Sequence, residues 1–281
     1  MTLVVGFPPD GQGRAVLHLA AMLARSTGED VHVTTVVPSP WLPGPARVDA
    51  EYQAELEASA QAALDEARRR MPADVKATYL LVHARSAPAG LLEVAEQHDA
   101  AAIVLGSSLA GAIGHVSLGS ISDRLVHSSP FGVALAPRGF RCRGECPVRR
   151  VTAAFGGSGE ELVKIAAREA GRVGASLRVA SFAVRPRAPI VAGVGQEADD
   201  SIVAQWAQEV RAAVPEGVEA VVGHGETWAD AIDDVEWSDG DVLVVGSSSI
   251  GPVARVFLGS RASKIVRVSP VPVVVVPREA L

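Results

Sequence analysis

Short, unbroken apolar runs alternate along the chain with longer stretches in which apolar residues recur every three or four positions. Leu3–Phe7 is the first such run and predicts a short buried strand, broken by Pro8-Pro9-Asp10-Gly11-Gln12-Gly13. From Arg14 to Ser26, Val16, Leu17, Ala20, Leu23 and Ala24 fall on one helical face, and Gly28 supplies a stop. Val31–Val37 predicts a second strand, ended by Pro38. Beyond a Pro/Gly loop, Asp49–Arg70 reads as a long helix whose polar positions are dense in Glu and Arg, so one face meets solvent. Thr78–His83, Pro88–Gln97, the run ending at Gly106, Ser120–Ser128 and Val133–Ala136 then predict strand, helix, strand, helix, strand. Strands separated by helices point to a parallel sheet, and unbroken apolar runs suit strands covered on both faces.

After an Arg-rich stretch, Arg138–Arg150, the order restarts. Strands are predicted at Val151–Phe155, Leu177–Val184, Val218–Val222, the run ending at Gly246, and Val271–Val276. Helices are predicted at Glu160–Val173, Ala198–Ala213, Trp228–Val235 and Ser260–Val268. The expected organisation is α/β: two tandem Rossmann-like domains, 1–140 and 150–281. Each is a five-stranded, mainly parallel sheet with helices on both faces. The linker, 141–149, carries little that could pack.

One stretch is written twice, 140 residues apart. Ile103-Val104-Leu105-Gly106-Ser107-Ser108 crosses a small-residue loop to Leu118-Gly119-Ser120, and Leu243-Val244-Val245-Gly246-Ser247-Ser248 crosses another to Leu258-Gly259-Ser260. A strand that feeds glycines into a helix start gathers backbone N–H groups around a phosphate. A turn with an N-cap uses the same residues, so the pattern alone leaves both open.

Composition narrows the partners. A net charge of −6 argues against nucleic acid, whose backbone selects basic surfaces. No apolar run reaches 18 residues and the first residues carry no signal-peptide core, so a cytoplasmic protein without a membrane span is expected. Two cysteines, Cys142 and Cys146, are too few for a disulfide framework and make no metal site alone; reduced linker thiols are expected. Catalytic signatures are missing: there is no Gly-x-Ser-x-Gly elbow and no Walker-type Lys, and Glu93 and Asp123 are isolated acids. A binding protein is expected rather than an enzyme.

The repeated Val-Leu-Gly-Ser and Val-Val-Gly-Ser strands, their loops, and Leu-Gly-Ser-x-Ser-Asp-Arg-Leu-Val after the first loop resemble the universal stress protein family in its tandem, two-domain form. That resemblance implies a site for ATP or a related adenine nucleotide, built on G-x2-G-x9-G-[S/T], in one half or both. By the family pattern Gly106, Ser108, Gly119, Ser120 and Ser122 hold phosphate in the first half, with Val36 lining the base. Gly246, Ser248, Ser249, Gly259 and Ser260 do so in the second, where Arg255 adds a cation at the position His115 takes in the first. The middle glycine is replaced by Leu109 and Ser249, and the adenosine-side Asp by Pro8 and Gly156, with Asp10 nearby. A Leu adds bulk to the cradle, which favours the second half. The resemblance further implies that Val133–Ala136 and Val271–Val276 pair, giving an intramolecular pseudo-dimer, with a homodimer of the whole chain a further option. Three functions stay open: a stress-response nucleotide sensor, a nucleotide-free interaction module, and a slow ATPase.

Overall fold

The computed structural model describes residues 1–10, 13–39, 46–142, 144–156, 160–185, 205–208, 210–212, 214–247, 256 and 258–277. The first half runs β1 (Thr2–Gly6), α1 (Arg14–Thr27), β2 (Asp30–Pro38), α2 (Ala46–Arg70), β3 (Ala77–Ala84), α3 (Ala87–Gln97), β4 (Ala100–Gly106), α4 (Ser120–Leu125) and β5 (Gly132–Ala136). The second runs β6 (Arg150–Ala154), α5 (Glu160–Val173), β7 (Ser176–Val184), β8 (Glu219–Gly225), α6 (Trp228–Asp233), β9 (Asp241–Gly246), α7 (Ser260–Val268) and β10 (Val273–Val276). Between β7 and β8, residues 205–208 and 210–212 are helical; the rest of the helix expected at 198–213, and the loop before it, lie largely outside the described residues.

Among the described residues ten strands form one sheet, in the order β3-β2-β1-β4-β5-β10-β9-β6-β7-β8. Within each half every pairing is parallel. The halves meet where β5 and β10 pair antiparallel, Val273 opposite Leu135, Val274 opposite Ala134 and Val275 opposite Val133. Pro272 explains why the ladder starts at Val273: it has no N–H to offer, although its carbonyl still accepts from Leu243 N at 2.9 Å.

Alternation along each strand feeds two cores. Leu3, Val5 and Phe7 join α1, α2 and α5 on one face, while Val4 joins α3, α4, α6 and α7 on the other. Val4 and Val5 are both fully buried, each such side chain contributing about 1.5–3 kcal/mol. Helix α1 ends as expected: Gly28 takes φ 74° and returns its N–H to Ala24 O.

The linker departs from expectation. Cys142, Cys146 and Val148 are buried in the first core rather than solvated. Backbone contacts fix them there: Val148 N donates to Ser26 Oγ at 2.7 Å and Arg25 Nη1 to Gly144 O at 3.2 Å. Arg25 in turn holds Asp74 through both guanidinium arms. Both thiols are free. Burial, reinforced by Cys146, pushes the Cys142 thiol up to about 11, so it is protonated at neutral pH and inert as a nucleophile.

Two histidines make stability pH-dependent. The His32 ring meets His98 edge-on at 4.3 Å, and its Nδ1 is buried without a hydrogen-bond partner. Burial first, and His98 second, push its pKa below the ordinary 6.5. His18 is lowered likewise, by burial and by Arg14, Arg141 and Arg25. Below pH 6.5 the unfolded chain takes up protons that the folded chain refuses, so stability is full above that value and falls as pH drops through it. The expected result is a denaturation midpoint that declines from pH 7 to pH 5, with a shallower decline in His32→Phe.

Candidate ligand clefts

Each half opens a cleft where its strand order reverses, at the carboxyl ends of β1 and β4 and of β6 and β9. Crossovers leave on opposite faces at such a point, so no helix fills the gap between the two strand ends. The first cleft holds about 350 Å³ and is lined by Phe7, Pro8, Asp10, Val36, Gly106, Ser108, Leu109, Gly119, Ser120, Ile121 and Ser122. The second holds about 580 Å³ and is lined by Phe155, Gly156, Glu161, Phe182, Arg185, Trp206, Trp228, Gly246, Ser247 and Arg261.

Local hydrogen bonds shape the first loop. Ser107 Oγ donates to Ala136 O at 2.7 Å and accepts from Ser117 N at 3.0 Å, and Ser108 N donates to Ser117 O at 2.8 Å. These bonds close residues 108–117 into a turn beside β5. Gly111 is required there, since a Cβ on it falls 2.2 Å from Ser117 Cβ. Ser247 repeats the anchor in the second half, donating to Val276 O at 2.9 Å. Neither anchoring serine stands out in the sequence, where both read as ordinary members of a serine pair.

The six first-half residues singled out by sequence all reach one cleft: Val36, Gly106, Ser108, Gly119, Ser120 and Ser122. Their roles differ. Ser120 is exposed at the start of α4. The Ser122 hydroxyl is engaged, accepting from Gly119 N at 2.8 Å and donating to Gly119 O at 3.1 Å; it caps α4 and is 4% exposed. Ser108 Oγ accepts from Ala110 N at 3.3 Å. Leu109 is 49% exposed at the cleft wall, and Asp10 lines the same cleft. In the second half Gly246 lines the cleft, Gly259 caps α7 and Ser260 opens it. Ser248, Ser249 and Arg255 lie outside the described residues.

Three histidines near the strand ends and loops are engaged within the fold. His115 Nδ1 donates to Val268 O at 3.1 Å, in the opposite half. His83 Nε2 lies 2.8 Å from Glu57, and His224 Nδ1 lies 2.7 Å from Asp234. Equivalent backbone bonds join the halves: Val116 N donates to Ser269 O at 3.2 Å, and Val256 N to Ser129 O at 2.6 Å. Sequence reasoning did not single out Phe182, Trp206, Trp228 or Arg261, which line the second cleft.

Among the described residues no group of three or more His, Cys, Asp or Glu is placed to hold a metal ion, and no helix is long and apolar enough to cross a membrane. Glycines and serines line the first crevice, and the second adds Arg185 and Arg261.

Comparison with known proteins agrees with this geometry. The pattern of the universal stress protein family matches residues 1–137 and again 148–277. Universal stress protein Rv2319c of Mycobacterium tuberculosis (strain ATCC 25618 / H37Rv) is 40% identical over 291 aligned residues, covering 99% of this chain and all of that one. Universal stress protein Mb2346c of Mycobacterium bovis matches to the same extent. A universal stress protein from Archaeoglobus fulgidus DSM 4304 shares the fold at TM-score 0.60 and 19% identity, with 98% of each chain covered. A functionally unknown protein, PA1789, from Pseudomonas aeruginosa PAO1 shares it at TM-score 0.57 and 15% identity, covering 99% of this chain and 93% of that one. With two matches that span both halves and whole-length relatives at 40% identity, the chain belongs to the universal stress protein family.

Proposed function

We propose that the chain is a cytoplasmic stress-response protein that binds ATP or a related adenine nucleotide and signals through the bound state rather than by catalysis. The observation that carries this reading is the second cleft. It lies at a switch point, holds about 580 Å³, and has at one end Arg261 and the N-terminus of the nine-residue helix α7. Backbone N–H groups at a helix start, together with a guanidinium, favour a phosphate. Each charge-assisted hydrogen bond contributes about 1.5–3 kcal/mol, so two or three of them supply about 3–9 kcal/mol, which spans millimolar to micromolar affinity.

The test is to purify the protein without added ligand, denature it, and identify released nucleotide by mass spectrometry. Calorimetric ATP titration follows, with wild type, Gly119→Val and Gly259→Val. Both glycines have ordinary negative φ, −88° and −68°, so valine adds bulk without backbone strain. Gly259→Val is expected to weaken ATP at least about tenfold, the equivalent of one lost contact, and Gly119→Val to change it less. ATP turnover that persists after binding is lost belongs to a contaminant.

A second reading, a nucleotide-free interaction module, is favoured by one feature: Leu109 and Ile121, 49% and 39% exposed, put apolar surface at the mouth of the first cleft. No released nucleotide and no heat with ATP would select it.

A further inference from the structure

The two clefts occupy equivalent places but have different walls. Phe7 N donates to Thr34 O and Thr35 Oγ1 to Phe7 O. Phe155 N donates to Ala180 O and Ser181 Oγ to Phe155 O in the same way. Val36 and Phe182, the next residues, therefore take the same wall position. Ser86 and Thr227 both cap a helix through their side chains, which makes Ala87 and Trp228 equivalent first residues of α3 and α6. Gly119 and Gly259 cap α4 and α7, which makes Ile121 equivalent to Arg261. All six line their clefts. Two aliphatic positions have become aromatic and a third has become a cation.

The charge around these rings is positive. Arg261 has no carboxylate partner among the described residues. Lys264 Nζ lies over the Trp228 ring, 5.9 Å from its centroid. Glu161, the acid on the wall, is matched by Lys164 at 3.2 Å. Half-buried aromatic side chains beside Arg261, in no ion pair among the described residues, present flat apolar faces and a place for negative charge. Phe182 and Trp228 pack partly against the second core and also line the cleft.

We propose that the second cleft is a site for planar aromatic anions as a class: Trp228 and Phe182 take the flat ring, Arg261 takes the anionic group, and an adenine nucleotide is one member. The inference rests on the nucleotide reading only in treating the cleft as a ligand site. The aromatic wall recognises a π-face, which every fused ring offers, rather than the edge pattern of one base. The first cleft, walled by Val36, Ala87 and Ile121, lacks this device.

The test titrates ATP, flavin mononucleotide and inorganic tripolyphosphate into wild type, Trp228→Ala and Trp228→Phe, with thermal melts confirming that each variant is folded. Alanine is the residue the first half carries at the same helix start, so the fold accommodates it. Trp228→Ala is expected to weaken both ring-bearing ligands about tenfold, as loss of one stacking partner does. Trp228→Phe is expected to restore most of that, and tripolyphosphate is expected to bind weakly and equally to all three. Tripolyphosphate binding as tightly as ATP overturns the proposal. ATP binding unaffected by Trp228→Ala overturns it and leaves the nucleotide reading standing. Trp228-dependent binding of flavin mononucleotide without any ATP binding does the reverse. Binding of none of the three overturns both.

Discussion

Replacing Asp241 with alanine is expected to destabilise the chain by roughly 3–5 kcal/mol, the range for removing one partner of a buried ion pair. Asp241 is 2% exposed at the start of β9. Its carboxylate accepts Arg150 Nε at 3.0 Å and Nη2 at 2.6 Å, and also Ser238 N at 2.9 Å. Arg178, 1% exposed, lies behind it with Nη2 at 3.8 Å from the same carboxylate. Arg178 also donates to Thr152 Oγ1 and Glu236 O, and packs over Trp237 at 4.7 Å. Burial first, and the neighbouring Arg150 second, hold the Arg178 pKa below its ordinary value. Without Asp241 two guanidiniums face each other, with the half-exposed Glu219, 3.9 Å from Arg150, and the exposed Glu236 as the acids that still act on them. The comparison that isolates this effect is Arg178→Met. It removes the buried charge along with its demand for a partner, and is expected to cost less than Asp241→Ala. Urea midpoints at constant m value measure both. Equal losses in the two variants would show that side-chain packing, not the unpaired charge, dominates.

Placing a carboxylate at the junction of the halves is expected to be at least as damaging. Leu135 and Val273 face each other across β5 and β10, 1% and 0% exposed. Both belong to the core that also holds Ile103, Leu243 and Val275. Leu135→Asp puts an ionisable group there with no partner, at a cost above about 4 kcal/mol. The expected outcome is a chain that either fails to accumulate folded or opens between its halves. Limited proteolysis distinguishes the two, because opening exposes the 138–150 stretch to cleavage while each half stays protected. A variant as resistant as wild type would show that the β5–β10 pairing contributes little.

Both predictions rest on features the sequence showed unevenly. Strands such as Leu3–Phe7 and Val31–Val37 were legible because burial on both faces demands unbroken apolar runs. Helix ends were legible where one residue decides them, as at Gly28. The glycine and serine positions of the first cleft were legible because the loop is written in local sequence. Arg178 was not, since an arginine inside an apolar strand has no local explanation. Its partners are Glu236, 58 residues away, and Asp241. Cys142 and Cys146 lie among arginines, and composition alone made that stretch read as solvated; Ser26 and Arg25, far back in the chain, are what fix it against the core. Ser122 matches a phosphate-contact pattern, yet a hydroxyl three residues past Gly119 also fits a helix cap, and geometry alone discriminates. The aromatic wall of the second cleft is assembled from β7, α6 and the helical residues 205–208, so no single window of sequence contains it.

The equivalent backbone bonds between the halves have a thermodynamic consequence. Val116 is held by the carbonyl of Ser269, and Val256 by that of Ser129, and both serines are fully buried. A bound ligand that displaced Val116 or Val256 would strip a buried carbonyl in the opposite half of its donor, at about 1–3 kcal/mol. The two occupancies are then linked variables. By reciprocity, the factor by which a ligand in one cleft alters affinity in the other is returned unchanged in the opposite direction. If ligands occupy both clefts, their binding would be described by a single binding polynomial, with neither dissociation constant a property of its own half alone.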